Sequence, residues 1–504
     1  MPGRHSIRGG AAPQRPRSPH RLAVAGSLLA GVLVQCGGCD KAGPLAPPDT
    51  GSPQIAVVFP SAVAYDRDGD GLLDLEFGFR DSLTGIDPAS FTLTSDRPLK
   101  GAAPVPAGAT LLAHWDITRR DSLGLVMEER VAALLPRGRV VLTVGATDRA
   151  GNRAVRSFAL TLPPAARHMA IDIQATLRLS TALLVTPDGR RLYVTTEEAG
   201  GSALSIVDPQ TLTWLRTVRT PLRGLSRMAF DPRRNRIYAM SIDHPQLGVF
   251  DVASETFLAP IPTTFRGIGL ALSPRRDELF IGLEIGGLTN GFVDVIDLAR
   301  GAQARLFSLG LPIVINPDIA AGMQALAFDP GETRLFAVTS AFAQQGLLVI
   351  DPDTGAVLEQ VDLRPETPGR FGGARDLAID QGRLLATSTS SLGVGRVVVT
   401  TVTAPSVLRF GVVGPFRDPV AIAVAPDGRD WALTIVDGQG GIHAVGLMDA
   451  TTLDMLWEAP LDPASDIRHD IAFRPDGNVF FAVGGRFNRD GPPPPNELTV
   501  YLHR

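Results

Sequence analysis

From about residue 180 onward, apolar and polar positions follow a phrase that recurs seven times: a short apolar run, a turn built on proline, aspartate or glycine, then an aliphatic or aromatic run. The copies are LLVTPDGRRLYVTTEE from Leu183, RMAFDPRRNRIYAMSI from Arg227, GLALSPRRDELFIGLEI from Gly269 and QALAFDPGETRLFAVTS from Gln324. DLAIDQGRLLATSTS from Asp376, AIAVAPDGRDWALTIV from Ala421 and DIAFRPDGNVFFAVGG from Asp470 complete the set. Proline fixes φ and brings no ladder donor, so each apolar run stops there and turns. A third run follows in most copies and ends on aspartate, at Asp208, Asp251, Asp297 and Asp351; copies five and six lack that aspartate. Turns such as Asp353-Thr354-Gly355 then lead to a fourth run. Four short strands per unit, repeated every 40 to 50 residues or so, predict an all-β chain whose larger part is a seven-bladed β-propeller.

No such sheet buries both faces alone, so neighbours stack and the ring closes. The seventh copy holds three strands, while HMAIDIQATLRL, from His168 to Leu179, precedes the first copy as an orphan. The pattern therefore predicts a propeller over 168–504 whose last blade takes 168–179 as its outer strand, protecting an otherwise open edge. The long step from Pro274 to Pro330 predicts an insertion over 309–322.

Residues 53–163 alternate with a period of two, which predicts the half-buried strands of a β-sandwich. Its predicted strands are Gln54 to Phe59, Leu73 to Phe79, SFTLTS, TLLAHWDI, RVVLTVGATD and VRSFALTL, with Asp148 to Asn152 as the last hairpin and Pro163-Pro164 closing the domain. No cysteine lies in this stretch, so the antibody type with its core disulfide is excluded.

Two resemblances rest on these residues. TPDGRRLYVTT followed by LSIVDPQTLTWLRTV resembles the YVTN-type β-propeller repeat of bacterial and archaeal surface and secreted proteins, with Arg191 to Thr196 carrying the core of the motif. That resemblance implies a seven-bladed ring and an adhesive or surface role, and it implies no single reaction. LPRGRVVLTVGATDRAGNRAVRSFALTL resembles the last two strands of bacterial immunoglobulin-like domains.

The first residues predict location. Arg4, Arg8, Arg15, Arg17 and Arg21 precede the apolar stretch from Leu22 to Val34, a signal-peptide pattern over 1–35 that is too short to span a membrane comfortably. Leu33-Val34-Gln35-Cys36 resembles a lipobox, which makes Cys36 the lipidation candidate; Cys36 and Cys39 are the only cysteines, and a loop disulfide between them is the alternative. Residues 36–52 read as a flexible linker. The expectation is a lipid-anchored protein of the bacterial envelope, at the outer membrane if Cys36, which Gly37 follows, is the residue modified.

Charge narrows the partners. The signal region takes five of 48 basic residues, so the remainder, set against 52 acids, is near −9. That balance offers no basic footprint for nucleic acid. Asp66-Arg67-Asp68-Gly69-Asp70-Gly71-Leu72-Leu73-Asp74 places Asp66, Asp68, Asp70 and Asp74 at positions 1, 3, 5 and 9 of a glycine-turned loop, a pattern that converges hard oxygens on Ca²⁺. Position 12 is Phe77, so the bidentate glutamate of an EF-hand is missing; the plain alternative is a solvated acidic turn. Neither GxSxG, HxxxH nor a phosphate-binding GxxxxGK[ST] occurs. What remains is the propeller mouth, where Arg227, Gln324, Arg375 and Arg468 are candidate binding residues. Asp376, His469 and Asp470 could form a lactonase-like or metal-hydrolase site there, against the expectation that these charges only cross-link a wet channel. The preferred reading is a non-enzymatic scaffold for an envelope protein or glycan.

Overall fold

The computed structural model describes residues 48–60, 65–101, 105–173, 180–198, 200–283, 291–310, 323–339, 346–363, 374–389, 394–415, 417–437, 443–460, 469–484 and 497–503. Among them the regular structure is β throughout, apart from one 3₁₀ turn at Leu111–Ala113. Residues 49–504 form one compact unit.

From residue 180 the described strands make seven antiparallel sheets in chain order, each built outward from its first strand. The first holds Ser180–Val185, Leu192–Glu198, Gly201–Asp208 and Thr213–Thr220; the fourth holds Met323–Phe328, Leu335–Thr339, Gly346–Ile350 and Val357–Asp362. First strands of successive sheets touch one another, and His469–Phe473 of the seventh touches Ser180–Val185 of the first, so the series closes on itself. Second and third strands are the most deeply buried, as in Leu335–Thr339 and Gly346–Ile350, because neighbouring sheets cover both of their faces.

The turn after each first strand needs a residue in the left-handed region. Gly189, Gly428 and Gly477 supply it in the Pro-Asp-Gly copies at φ of 66°, 69° and 74°, and Asn235 and Asp277 in the Pro-Arg-Arg copies at 51° and 60°. The aspartates after the third strands cap the next turn: Asp208 Oδ1 accepts from Gln210 N at 2.8 Å and Asp351 Oδ1 from Asp353 N at 2.8 Å. One expectation is corrected here. The sixth sheet keeps this aspartate as Asp449, which accepts from Thr451 N at 2.7 Å; in the fifth, Thr401 takes the role.

The closing strand is present, with shifted bounds. Ala165–Asp172, rather than 168–179, pairs antiparallel with Glu497–His503 as the outer strand of the seventh sheet. It starts earlier because Ala165, directly after Pro163-Pro164, is small enough to pack fully buried beside Phe480 and Tyr501. Residues 174–179 and most of the proposed 309–322 insertion lie outside the described residues.

Polar ties repeat the same circuit on the turn side. Successive sheets are tied on this side: Arg191 of the first inner turn and Arg216 of the outer strand pair with Glu255 in the outer hairpin of the second sheet, and Arg234 grips Asp277 in the inner turn of the third at 2.5 and 2.6 Å. Arg276 pairs with Asp353 at 3.1 Å, Arg334 donates to Val402 O at 3.0 Å, and Arg383 donates to Ala450 O at 2.6 Å. Buried His503 Nε2 meets Asp430 Oδ2 at 3.0 Å, and Arg474 donates to Pro209 O at 2.9 Å, completing the circle.

Residues 54–162 form two facing sheets. One runs Gln54–Phe59, Asp74–Arg80, Gly124–Glu128, Asp116–Arg120, and the other Ile86–Ser95, Gly138–Asp148, Arg153–Leu162. Leu75, Phe77 and Phe79 from one face Leu93, Leu142 and Val144 from the other in a single core. The predicted TLLAHWDI strand is corrected: Thr110 Oγ1 accepts from Leu112 N at 3.3 Å and caps the 3₁₀ turn, which lets Leu111 and Trp115 both enter the core, and the strand starts at Asp116. The sheet pair joins the ring through Leu72 and Leu134, which pack with Ile171, Leu498 and Val500.

Candidate functional site

The channel is lined from the first strands, and those strands share a distortion. Their pairing to the second strand slips at one place: between Ser226 and Met228, Gly267 and Gly269, Met323 and Ala325, Ala374 and Leu377, and Pro419 and Ala421. Such bulges re-aim a side chain, so Arg227, Ile268, Gln324, Asp376 and Val420 occupy one level around the axis. Asp470 holds the matching position in the seventh sheet without a slip, opposite Val483.

Three of these residues meet. Arg227, from the second sheet, crosses to the fifth: its guanidinium lies 2.7 Å from Asp376 Oδ1 and its Nη2 donates to Arg375 O at 3.4 Å. The other oxygen, Asp376 Oδ2, accepts from Ile422 N of the next sheet at 2.9 Å. Asp470 repeats that staple, with Oδ2 accepting from Leu183 N at 2.7 Å and Oδ1 from Ile471 N at 2.9 Å. Burial works against the charge on Arg227, but Asp376 and Asp470 outweigh it and hold its pKa above the ordinary value. Burial also pushes the Asp470 carboxyl up, against the pull of Arg227 and with a further push from Asp376, to about 6.

Of the other mouth residues, Gln324 lies at its bulge half-buried, and Arg375 is exposed with its carbonyl turned to Arg227. The backbone of His469 pairs with Gly484. Arg468 and the His469 side chain lie outside the described residues, as does Cys36.

Asp470 gives a pH test. Its folded pKa lies above the ordinary 3.8, so the fold holds an extra proton between 3.8 and about 6. The stability this brings is complete below 3.8 and is lost as pH rises through about 6. Asp470→Asn keeps an oxygen for the Leu183 amide without the charge, so its stability relative to the native chain should rise across that window by on the order of 2 kcal/mol. Denaturant midpoints of both proteins at a series of pH values check this, and a constant difference would contradict it.

The second cluster is the acidic loop. Oxygens of Asp66, Asp68 and Asp74 come within 4.8 Å of one another, as do those of Asp68, Asp70 and Glu128. Glu128 escaped the sequence reading because it arrives from the neighbouring strand, opposite Asp74, rather than from loop position 12. Phe77, at that position, is core. Burial, then the charges of Asp70, Asp74, Asp68 and Asp116, push the Glu128 carboxyl up to about 7. Asp66 is partly taken up by the loop itself, accepting from Gly69 N at 2.6 Å and Gly71 N at 2.7 Å. The loop also abuts the closing strand: His168 Nδ1 lies 2.5 Å from Asp70 O, and a Cβ on Gly71 would come within 2.7 Å of Arg167 O.

No family model matches the chain, and no curated protein matches it. Solved structures do. The chain is similar to the β-propeller domain of Myceliophteria thermophila Cps50 (Swd1), at 12% identity and a TM-score of 0.50, over 67% of this chain and 99% of that one. It is also similar to Kuenenia stuttgartiensis hydrazine synthase, at 14% identity and a TM-score of 0.48, over 62% and 95%. At such identities the likeness is one of fold, and with the closed series of four-stranded sheets it makes this chain a β-propeller protein.

Proposed function

We propose that this chain is a seven-bladed, YVTN-like propeller carried on an immunoglobulin-like sandwich, anchored in the bacterial envelope by a lipid on Cys36, and that it acts by holding a protein or glycan partner. The observation that supports a binding role is the channel itself: Arg227 is paired with Asp376, and the carboxyl oxygens of Asp376 and Asp470 are occupied by amides and that guanidinium. Groups so engaged serve closure of the ring better than attack on a substrate.

A second reading has one observation in its favour. An Asp470 that titrates near 6 suits a proton carrier, and with Asp376 and His469 it would serve an envelope hydrolase or lactonase. A panel of lactones and esters separates the two. Turnover by the purified full chain that disappears in a folded Asp470→Asn variant would establish the hydrolase; no turnover by either protein fits the scaffold.

Calcium belongs to the same proposal, held by Asp66, Asp68, Asp70, Asp74 and Glu128 with a structural role. Calcium at 100 times its dissociation constant should stabilise the fold by about 2.7 kcal/mol, read as a rise in melting temperature over the chelated protein. The rise should vanish in Asp68→Asn with Glu128→Gln; an undiminished rise there would remove the assignment.

A further inference from the structure

The sheets of this molecule end in two ways. Along the ring, each described outer strand longer than two residues, from Thr213–Thr220 to Met455–Pro460, slips in its pairing, and so does the closing strand Ala165–Asp172. In the N-terminal sheet pair, Gln54–Phe59, Ile86–Ser95 and Asp116–Arg120 slip as well. Such bulges twist an edge away from passing strands, which keeps it from pairing with another chain.

Arg153–Leu162 is the exception. It borders its sheet beyond Gly138–Asp148 and pairs with that strand over ten consecutive residues without a slip. Among the described residues, no backbone group of 153–162 hydrogen-bonds outside that pairing. The strand contains neither proline nor lysine, and its outward residues Arg153, Val155, Ser157, Ala159 and Thr161 are exposed, Val155 at 55%. A long, regular, open edge of this kind is a template for a further strand.

The outward face of the strand matches itself. Thr94 pairs with Thr143 and Thr143 with Ser157, the last two with their side-chain oxygens 2.8 Å apart. A second copy laid antiparallel, Ser157 opposite Ser157, carries this hydroxyl row from one sheet into the next. The same register sets Val155 opposite the partner's Ala159 and Arg153 opposite the partner's Thr161, so no like charges face each other. Arg156 turns toward the other sheet, donating to Ile55 O at 2.7 Å, and leaves the outward face free. A register centred on Arg156 would instead bring two arginines opposite each other, and a slip of one residue would turn one copy's outward face over.

We infer that two copies of this chain pair through Arg153–Leu162 about a two-fold axis at Ser157, joining two three-stranded sheets into one of six. The contact is isologous and closes at two, because each copy uses its one unbroken outer edge. One strand pair makes a small interface, so the dissociation constant should be on the order of micromolar. The assembly presents two propellers, which favours a partner with repeated binding points.

The pairing needs no lipid, so the test uses the full chain with Cys36→Ser and Cys39→Ser. Sedimentation velocity between about 1 and 100 µM should show a reversible monomer–dimer equilibrium. Under mild oxidant, Ser157→Cys should form its disulfide dimer at least about tenfold faster than Arg153→Cys or Thr161→Cys, whose own copies lie about 27 Å apart in this register. Val155→Lys with Ala159→Lys should weaken the dimer about tenfold, and Val155→Glu with Ala159→Lys should restore it by placing unlike charges opposite. Unfolding midpoints of the variants, at these exposed positions, separate loss of pairing from loss of fold. A chain that stays monomeric to about 100 µM, a dimer indifferent to both substitution pairs, or a thiol at 157 no faster than those at 153 and 161 would each overturn the inference. Cross-links from 157 in whole cells to another protein, in place of a second copy, would overturn it too and assign the edge to that partner's strand.

Discussion

Replacing Arg474 by alanine should destabilise the protein by about 3 to 5 kcal/mol, more than loss of any other tie in the circuit. The side chain is fully buried, and its guanidinium serves three parts of the molecule at once. It donates to Pro209 O of the first sheet at 2.9 Å, to Val131 O of the N-terminal sheet pair at 3.5 Å, and lies 2.8 Å from Asp476 in its own turn. Truncation leaves the buried Pro209 carbonyl and the part-buried Val131 carbonyl without this donor, and a cavity where the seventh sheet meets the first. Arg474→Lys should recover only part, since one ammonium cannot reach both carbonyls in the fork geometry. Guanidinium midpoints measure the loss. Amide exchange locates it, with faster exchange in Ala165–Asp172 and Glu497–His503 than in the third and fourth sheets. A loss under about 1 kcal/mol would mean that the seam is held elsewhere.

Arg474 also shows where reading the chain succeeds and where it stops. It stands at the first position of an inner turn, where other copies carry Thr186, Asp231, Ser273 and Asp329, and the repeat made its place in the strand order plain. Its partners were not legible, because Pro209 and Val131 are distant in sequence and backbone carbonyls leave no compositional mark. The closing strand was legible as an orphan beside a three-stranded copy, but its start at Ala165 was hidden behind Pro163-Pro164, which looked like a boundary. At the acidic loop, spacing revealed the four aspartates, while Glu128 needed the register with Asp74. In the channel, the alignment of copies brought out Arg227, Asp376 and Asp470 as candidates; that Arg227 reaches across to Asp376 depends on ring geometry, which no local pattern encodes. VRSFALTL was legible as a strand, yet that it borders its sheet without a bulge shows only in the register.

A second large effect is expected inside the N-terminal sheet pair. Glu129 and Arg137 are fully buried 3.4 Å apart, and Glu129 also accepts from Leu73 N at 3.1 Å and Leu135 N at 2.6 Å. Burial pushes the Glu129 carboxyl up, with Arg137 and those amides pulling it down. Among the described residues, Arg137 Nε and Nη2 find no partner, so the pair is incompletely satisfied and adds little beyond fixing the strands around it. Arg137→Met should nevertheless cost about 3 to 5 kcal/mol, because it strands a carboxylate in the core. Glu129→Gln with Arg137→Met should cost far less, since the amide oxygen keeps one backbone donor and no charge remains to desolvate. The double-mutant cycle should therefore show a coupling of about 2 to 3 kcal/mol. Additive losses would indicate that Arg137 acts through its apolar stem alone. The outcome bears on the ring as well, since Leu134, between the two charges in sequence, packs against Ile171 of the closing strand. Strain released at Glu129 would reach the propeller through that contact, and faster amide exchange in Ala165–Asp172 in the single variant, restored in the double, would register it.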